Sequence, residues 1–308
     1  MTAPFQLPPV VWADDLLNEP EPEHHWVVPN MFEQRDRTIV TGGEGEGKST
    51  LLRQWGLMVA LGVHPFTLET IEPKRVLLLD LENSREQIKM ELRKIADTAG
   101  VTVPGQPWFA VASWPSGINL TSNDYELAFK EQIKMYSPDL VIGGPLYKMA
   151  EASLADEDAS RAVSAALDRL RADYHFALAL EAHQVNESSA FDPSAKKFVK
   201  NRPTRPFGSS LWRRWPEFGL CLFTDGTLYH WRGDRQARPW PQKLSRGDVW
   251  LWEPDTGKCP VCGQERVEGK ERYCSDTCRN TAKKRRQRAQ GQGKQEDLLD
   301  LIDKIVPI

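Results

Sequence analysis

The sequence of 308 residues contains no apolar run approaching the roughly 18 residues that a membrane-spanning helix requires. Its first 20 residues lack a basic start followed by an apolar block, the pattern of a secretory leader. Its five cysteines, in a chain without such a leader, do not indicate a disulfide framework. We therefore expect a protein that has no membrane partner and stays in the cytoplasm.

A large net charge is also lacking, since 40 lysines and arginines nearly balance 43 acidic residues to give −3. The balance hides an uneven distribution. The front of the chain is acidic and proline-rich, and residues 1–25 are predicted to form an arm rather than a packed element. The basic residues near the end are Arg279, Lys283, Lys284, Arg285, Arg286 and Arg288.

One glycine-rich stretch has the spacing of a phosphate-binding loop, G-x-x-x-x-G-K-[ST]. An apolar run precedes it and an apolar periodicity of three and four follows, which predicts a strand, the loop and then a helix. Glycines allow backbone N–H groups to face a β-phosphate, the lysine reaches the β- and γ-phosphates, and the serine ligates Mg²⁺. The predicted nucleotide-binding residues are Gly42, Gly43, Glu44, Gly45, Glu46, Gly47, Lys48, Ser49 and Thr50.

Apolar runs and amphipathic segments alternate along most of the chain. Buried strands are predicted at 75–82, 108–112, 138–145 and 176–183, with helices over 48–62, 83–98, 123–135 and 156–173. Runs at 218–223 and 227–231, joined by Asp225-Gly226, predict a hairpin. This order predicts an α/β fold with a mostly parallel sheet, a C-terminal hairpin and ligands at the carboxyl ends of the strands.

A long polar stretch interrupts this alternation at residues 185–206. A loop of that length in a compact domain is usually functional or disordered. Its basic residues are candidates for contact with DNA, although a solvated surface is the alternative interpretation. They are Lys196, Lys197, Lys200, Arg202 and Arg205.

Four cysteines near the end have the spacing C-x2-C, eleven residues, C-x3-C: Cys259, Cys262, Cys274 and Cys278. Two such pairs are typical of a tetrahedral Zn²⁺ site that supplies the folding energy of a small module. The alternative is a chance cluster of free thiols. Cys221 lies in a predicted strand and is expected in the core.

The C-terminal part of the chain is divided accordingly. Residues 241–257 are predicted to be a linker, 258–288 a zinc module continued by a basic helix, and 289–308 a flexible tail with a short amphipathic helix at 298–305. Lys283, Lys284, Arg285 and Arg286 are candidates to neutralise DNA phosphates independently of sequence. A solubilising tail is the alternative.

Residues 26–240 resemble the RecA-like P-loop NTPases, in particular the plasmid RepA and phage or DnaB-type hexameric helicase branch. The matching segments are the phosphate loop, 77–84, 139–142 before Pro145-Leu146, and 182–184, with a weaker match at 207–210. The cysteine segment resembles treble-clef or ribbon-like zinc modules. These likenesses imply a RecA-like core that uses ATP, Mg²⁺ and Zn²⁺.

The resemblance also implies roles for individual residues. Glu82 would activate the attacking water, and His183 or Gln184 would sense the γ-phosphate and couple it to a DNA loop. Relatives often form rings in which an arginine of the neighbouring subunit completes each site. The candidates for that arginine are Arg232, Arg235 and Arg238, or Arg213 and Arg214.

One position departs from the family pattern. Relatives usually end their Mg²⁺-supporting strand on aspartate, where this chain has Gly144. Asp80, Glu82 and Asp139 are the candidates to compensate, although Asp139 begins its strand. The departure affects the expected rate of hydrolysis more than nucleotide binding.

The leading hypothesis is an ATP-dependent DNA helicase or remodelling NTPase of a phage or mobile element, acting in replication or recombination in the host cytoplasm or nucleoid. It would act on single-stranded or branched DNA as a homo-oligomeric ring. The first alternative is a nucleotide-gated DNA-binding or loading protein with little hydrolysis. A metal-dependent nuclease using Asp80 and Glu82, and a small-molecule kinase, are further alternatives.

Overall fold

A computed structural model describes residues 10–20, 23–185, 188–192, 197–201, 203–233, 238–247, 249–266 and 273–291, with side chains left undescribed at 188–192, 197–201 and 285–291. The predictions for Lys196, Arg202, Arg235 and the 298–305 helix lie outside these residues.

The described strands are β1 (Trp26–Val28), β2 (Phe32–Glu33), β3 (Arg37–Gly42), β4 (Val76–Asp80), β5 (Phe109–Ser113), β6 (Leu140–Gly144), β7 (Ala177–His183), β8 (Ser188–Asp192), β9 (Lys197–Asn201), β10 (Phe218–Leu222), β11 (Leu228–Arg232), β12 (Leu244–Arg246) and β13 (Trp252–Pro254). The described α-helices are α1 (Ala13–Leu17), α2 (Lys48–Ala60), α3 (Arg85–Ala99), α4 (Asn123–Tyr136), α5 (Glu157–Tyr174), α6 (Leu211–Arg214) and α7 (Asp276–Gly291). A short 3-10 helix covers Leu146–Met149.

Seven strands form the central sheet in the order β11-β10-β3-β7-β6-β4-β5. Neighbouring strands in this sheet are parallel except for the β10–β11 hairpin. The predicted α/β class, with a mostly parallel sheet and a C-terminal hairpin, is therefore confirmed. Phosphate-loop helix α2 follows β3 near the middle of the sheet, so the loop lies at the carboxyl edge among several strand ends.

Both faces of the sheet are covered, because its strands are apolar on both sides. Helices α2 and α3 pack on one face, where Val40, Leu78 and Ile142 belong to their apolar cluster. Helices α4 and α5 pack on the other face, against Leu79 and Leu180. Alternation along each strand thus determines which residues face the phosphate-loop helix.

The prediction of a linker over residues 241–257 is wrong. Leu244, Trp250 and Trp252 are each at most 5% exposed, and β12 pairs with β13 in an antiparallel hairpin. The side chain of Gln54 donates to the Trp252 carbonyl at 2.6 Å and accepts from its amide at 2.9 Å. Burial of the indole rings holds this segment on α2, because removing their large apolar area from water is favourable.

The polar stretch after β7 contains a hairpin of its own rather than a structureless loop. Strand β8 pairs with β9 in register, with Asp192 opposite Lys197 and Ser189 opposite Lys200. The base of the excursion is joined to the sheet edge, where the Phe207 amide donates to the His183 carbonyl at 2.8 Å. The hairpin therefore leaves and rejoins the core beside the end of β7.

The two ends of the chain add short helices. Helix α1, within the segment predicted to be an arm, has no buried residue. Helix α7 begins at Asp276, continues past the fourth cysteine of the cluster and extends beyond the predicted boundary at residue 288. Among the described residues, none of the helices combines the length and the apolar character needed to cross a membrane.

Candidate nucleotide-binding site

The phosphate loop turns sharply between β3 and α2. Gly45 has φ +75° and Gly47 has φ +93° at the helix N-cap, conformations that glycine adopts without steric cost. Lys48 is 4% exposed; its Nζ donates to the Gly43 carbonyl at 2.8 Å. Half-buried Ser49 follows on the first turn of α2. The loop amides, the ammonium group and the serine hydroxyl thus meet at one helix N-terminus, a site suited to phosphate.

Glu46 within the loop is also buried, at 4% exposure. Its carboxylate accepts a hydrogen bond from the Gly43 amide. An anionic group therefore already binds one of the loop amides, as expected where helix and backbone dipoles favour negative charge.

Glu82, the predicted water-activating residue, lies exposed just beyond β4. Tyr147, which the sequence analysis did not single out, donates its hydroxyl to Glu82 Oε1 at 2.6 Å. Partial burial and the hydrogen bond to Glu82 raise the pKa of Tyr147 to about 12. The Tyr147 ring also lies 5.4 Å from the ring of His183, between centroids. Tyr147 thus contacts both Glu82 and His183.

Two of the carboxylates considered as replacements for the missing aspartate have other partners. Asp80 is 5% exposed; it pairs with Arg53 at 2.6 Å and accepts from the Asn83 amide at 2.8 Å. Asp139 accepts from the Arg75 amide at 2.8 Å, at the start of β6 and away from the loop. These contacts do not support the hypothesis that Asp80 or Asp139 replaces the missing acid, because each carboxylate already has a structural partner.

Glu181 is a site residue that the sequence analysis missed. It lies on β7, is 8% exposed, and its Oε1 is 3.8 Å from Lys48 Nζ. The pattern of an apolar strand that ends on a histidine predicts His183 as a site residue, and not the glutamate two residues earlier. The signal that could have found it was a charged residue within a strand otherwise predicted to be buried, which is expensive without a partner.

A cavity of about 800 Å³ opens beside the phosphate loop. Gly43, Tyr147, His183, Gln184 and Phe207 are among the residues that line it. Gln184 is 8% exposed and forms an isolated bridge with Pro206. The predicted sensor residues therefore face the same cavity as the phosphate loop and the return of the β8–β9 hairpin.

The structure contradicts the arginine-finger prediction at Arg238. Its side chain is 5% exposed, pairs with Asp36 at 2.6 Å, and lies 4.2 Å over the Phe218 ring. Such a guanidinium stabilises the core and is not available to a neighbouring subunit.

Arg232 is also engaged within its own chain, donating to the carbonyls of Pro216 and Arg213. The structure thus gives Arg232 a local capping contact in place of the predicted trans role. Arg213 and Arg214 are exposed on α6, and they remain the candidates among the described arginines.

The four predicted zinc ligands converge. Their sulfur atoms all lie within 4.8 Å of one another, with Cys262 and Cys274 at 3.4 Å and Cys274 and Cys278 at 3.6 Å. A disulfide would need about 2.05 Å, whereas tetrahedral Zn–S bonds of about 2.3 Å imply separations near 3.8 Å. The donor set and spacing therefore fit a Zn²⁺ ion.

Protonation of the cluster is uneven. Burial raises the pKa of Cys259, but hydrogen bonds from the backbone amides of Cys274, Cys262 and Val261 outweigh burial and lower the pKa to about 6. Hydrogen bonds to Cys262 and Cys278 raise the pKa of Cys274 to about 12. Metal binding to such a set is expected to release protons.

The predicted DNA contacts lie in two regions. Lys197 and Lys200 belong to β9, and Arg205 is exposed where the hairpin rejoins the core. Lys283 and Lys284 are exposed on α7, which also includes Arg285 and Arg286. The structure leaves the described lysines of α7 accessible to a phosphate backbone.

A phosphate loop at the carboxyl edge of a mostly parallel, doubly covered sheet defines a P-loop nucleotide-binding protein. Comparison with protein families agrees with this class. The profile AAA_25, described as an AAA domain, matches residues 2–189. Because that match covers more than half of the chain, the protein belongs to this AAA domain family and is a nucleotide-binding P-loop ATPase. No curated protein matches the chain.

Proposed function

We propose that this ATPase couples nucleotide turnover to DNA, as a helicase or DNA-remodelling NTPase in replication or recombination. ATP would bind at the phosphate loop through Lys48, with Mg²⁺ beside Ser49. A bound Mg²⁺ ion would neutralise charge on the phosphates. Glu82 would orient and deprotonate the attacking water, and Tyr147 would hold the Glu82 carboxylate in place.

The observation that carries this proposal is the attachment of the β8–β9 hairpin. The Phe207 amide binds the His183 carbonyl at 2.8 Å, and the Val185 amide binds the Arg205 carbonyl at 3.3 Å. Both ends of a basic excursion are therefore anchored to the strand end that faces the phosphate loop. Loss of the γ-phosphate would shift His183 or Gln184, and these backbone hydrogen bonds would transmit the shift to β9 and its lysines.

Helix α7 supplies a second basic surface. Its lysines follow directly on a cysteine cluster that fits Zn²⁺. A zinc-anchored basic helix would grip phosphates independently of sequence and add a salt-dependent contribution to affinity.

Self-association into a ring is part of the proposal. The exposed Arg213 and Arg214 are candidates to complete a neighbouring site, since a trans arginine stabilises transition-state charge. Helix α1 and its preceding residues also expose Trp12, Leu16 and Leu17 at 79%, 57% and 84%. Exposed apolar side chains in one short segment favour contact with a second chain.

The second candidate is a nucleotide-gated DNA-binding or loading protein with slow hydrolysis. Gly144 favours it, because the strand end that usually carries an aspartate carries no side chain. In that case nucleotide would change DNA affinity or oligomeric state without strand separation. Gel filtration and DNA binding with a non-hydrolysable ATP analogue, combined with an unwinding assay, distinguish the two.

The test of the main proposal is an ATPase assay with Mg²⁺ and single-stranded, duplex or branched DNA. We expect DNA to stimulate hydrolysis and Lys48→Ala to abolish it. Lys89→Ala is the matched control, because Lys89 is exposed on α3. Hydrolysis that no DNA structure stimulates would exclude a DNA-coupled motor, and an absence of nucleotide effects on DNA binding would exclude the switch.

A further inference from the structure

The end of β6 has no side chain where the helicase-like relatives place an acid. Gly144 follows Ile142 by two residues, and Ile142 belongs to the apolar cluster on the α2 face of the sheet. Period-two alternation therefore directs position 144 towards the phosphate-loop helix. Position 144 therefore supplies no carboxylate to face Ser49.

Glu181 occupies this space from the neighbouring strand. Strands β6 and β7 are parallel and pair with Gly143 opposite Leu180, which brings Gly144 level with Glu181. A Cβ atom built on Gly144 would lie 2.7 Å from Glu181 Cβ. Ala179, two residues before Glu181, lies in the cluster on the α2 face, so Glu181 points to the same side as an acid at position 144 would.

The surroundings of Glu181 form a small cleft with the components of a metal-nucleotide site. Ser49, Asp80, Glu82, Gly144 and Glu181 are among the residues that line this cleft. Asp80 is held by Arg53, and Glu82 accepts from Tyr147. The carboxylate of Glu181 instead lies 3.8 Å from the lysine that would bind the phosphates.

We propose that Glu181 has taken over, from the adjacent strand, the role of the missing aspartate, and holds the water shell of the Mg²⁺ ion that Ser49 would ligate. Mg²⁺ keeps several waters and is usually bound through one or two carboxylates together with phosphates. Glu181 is thus a positioning residue rather than a catalytic one. The inference deepens the proposed function, since it rests on a nucleotide at the same loop.

The charge of Glu181 gives this role a distinctive signature. A buried carboxylate close to Lys48 repels the phosphates of metal-free ATP, because the charges are screened little at such a site. The same carboxylate attracts the hydrated Mg²⁺ of the metal complex. Glu181 should therefore weaken the binding of free ATP and strengthen the binding of Mg-ATP, whereas a merely structural residue would affect both in the same direction.

The test is calorimetric titration of a non-hydrolysable ATP analogue, with Mg²⁺ or with EDTA, on wild-type protein and Glu181→Gln. The dissociation constant in EDTA divided by the dissociation constant with Mg²⁺ is the ratio that measures the contribution of the metal. We expect the isosteric Glu181→Gln change to reduce this ratio about tenfold or more, the usual effect of removing an outer-sphere partner. Binding in EDTA should stay equal or become tighter, and Glu181→Asp should retain part of the metal effect.

Glu82→Gln is the matched control, since Glu82 lines the same cleft but is assigned to water activation; it should lose turnover and keep the wild-type ratio. Spin-resonance titration of Mn²⁺ provides a direct readout of metal held in the nucleotide complex. An unchanged ratio in Glu181→Gln would overturn the inference while leaving the proposed function intact. Parallel losses with and without metal would assign Glu181 a structural role, and nucleotide binding absent from wild type would overturn both.

Discussion

The Cβ atom of Glu181 fills the space that a side chain at position 144 would need. A Cβ on Gly144 would lie 2.7 Å from Glu181 Cβ and 3.0 Å from the Glu181 carbonyl oxygen. Gly144 also has φ +145°, which L side chains rarely adopt. The strand end therefore accommodates either a side chain at 144 or the present position of β7, and this chain has the second arrangement.

Replacing Gly144 with alanine is expected to destabilise the core. The new methyl group meets backbone atoms that cannot move aside, and the backbone conformation is strained, so we expect a loss of about 2–4 kcal/mol. Gly143→Ala is the control, because its added Cβ would have only ordinary contacts at 3.5 Å with Leu180 and Leu79. Urea denaturation of both variants checks this. Equal midpoints would contradict the steric conflict.

The hydrogen bond from Tyr147 to Glu82 predicts a catalytic effect without a binding effect. Tyr147→Phe removes a donor to a charged acceptor, an interaction of about 1.5 kcal/mol at such an exposed pair, and we expect kcat to fall about tenfold while nucleotide Kd stays unchanged. Because the pKa of Tyr147 is raised to about 12, the phenol stays protonated up to pH 10. The ratio of wild-type to variant rates should therefore be constant from pH 7 to pH 10. A ratio that falls steadily over this range would show that the phenol ionises earlier.

The contact between Gln54 and Trp252 links the C-terminal segment to the phosphate loop. Trp252 lies against Gly47, since a Cβ there would be 3.3 Å from its ring. Gln54→Ala leaves the Trp252 amide and carbonyl without these partners in a buried place, which should cost about 2–4 kcal/mol. Thermal unfolding and nucleotide titration should show a lower Tm and a higher Kd.

Gln87→Ala provides the comparison for Gln54→Ala. Gln87 is exposed and completes a capping box with Ser84 at the start of α3, so its loss should cost about 1 kcal/mol at most. If the two variants unfold at the same temperature, the Gln54 contact is not a structural bond of the proposed strength.

Much of the sheet could be predicted because its signals are local. The spacing from Gly42 to Ser49 determines a loop between strand and helix, and Ser84 caps α3 with a pattern visible in sequence. The charge of Glu181 within a buried strand is visible in the sequence, but the role of Glu181 is not. Its relation to Gly144 depends on which strands are neighbours and on their register, and no spacing along the chain encodes either.

The errors have a similar physical origin. Arg238 lies among other arginines in sequence, but its burial depends on Asp36, some two hundred residues away. Strands β12 and β13 have three residues each, which is too few for alternation to appear. The sequence therefore shows no strand pattern in 241–257 and predicts a linker. In that segment Trp250 and Trp252 are the informative residues, because large aromatic side chains are unfavourable in a solvated linker.

The cysteine cluster predicts about one zinc per chain, held by four thiolates. Cys259→Ser and Cys278→Ser should each lose the metal, whereas Cys221→Ser should keep it, since Cys221 is buried in β10 away from the cluster. Metal analysis of purified protein measures this. A chelator should expose Cys259 to alkylation without lowering the main unfolding transition. Alkylation that added zinc does not slow would contradict a zinc site.

If α7 binds DNA as proposed, the salt dependence of the affinity should show it. Each phosphate contact contributes about 0.9 to the slope of log K against log salt on duplex DNA. Replacing the exposed Lys283 and Lys284 together with alanine should therefore reduce that slope by up to about 1.8, almost equally for unrelated sequences. Fluorescence anisotropy at several salt concentrations measures the change.

The control for the α7 variant is a pair of lysines on another helix. Lys89 and Lys94 are both exposed on α3, so Lys89→Ala with Lys94→Ala removes the same charge from a different surface. If both double variants lower the slope equally, the effect reflects net charge and not a grip by α7. If only the α7 variant does so while DNA still stimulates the ATPase, then the β8–β9 hairpin couples DNA to nucleotide and α7 supplies affinity alone. Loss of stimulation with the α7 lysines would instead make α7 part of the coupling itself.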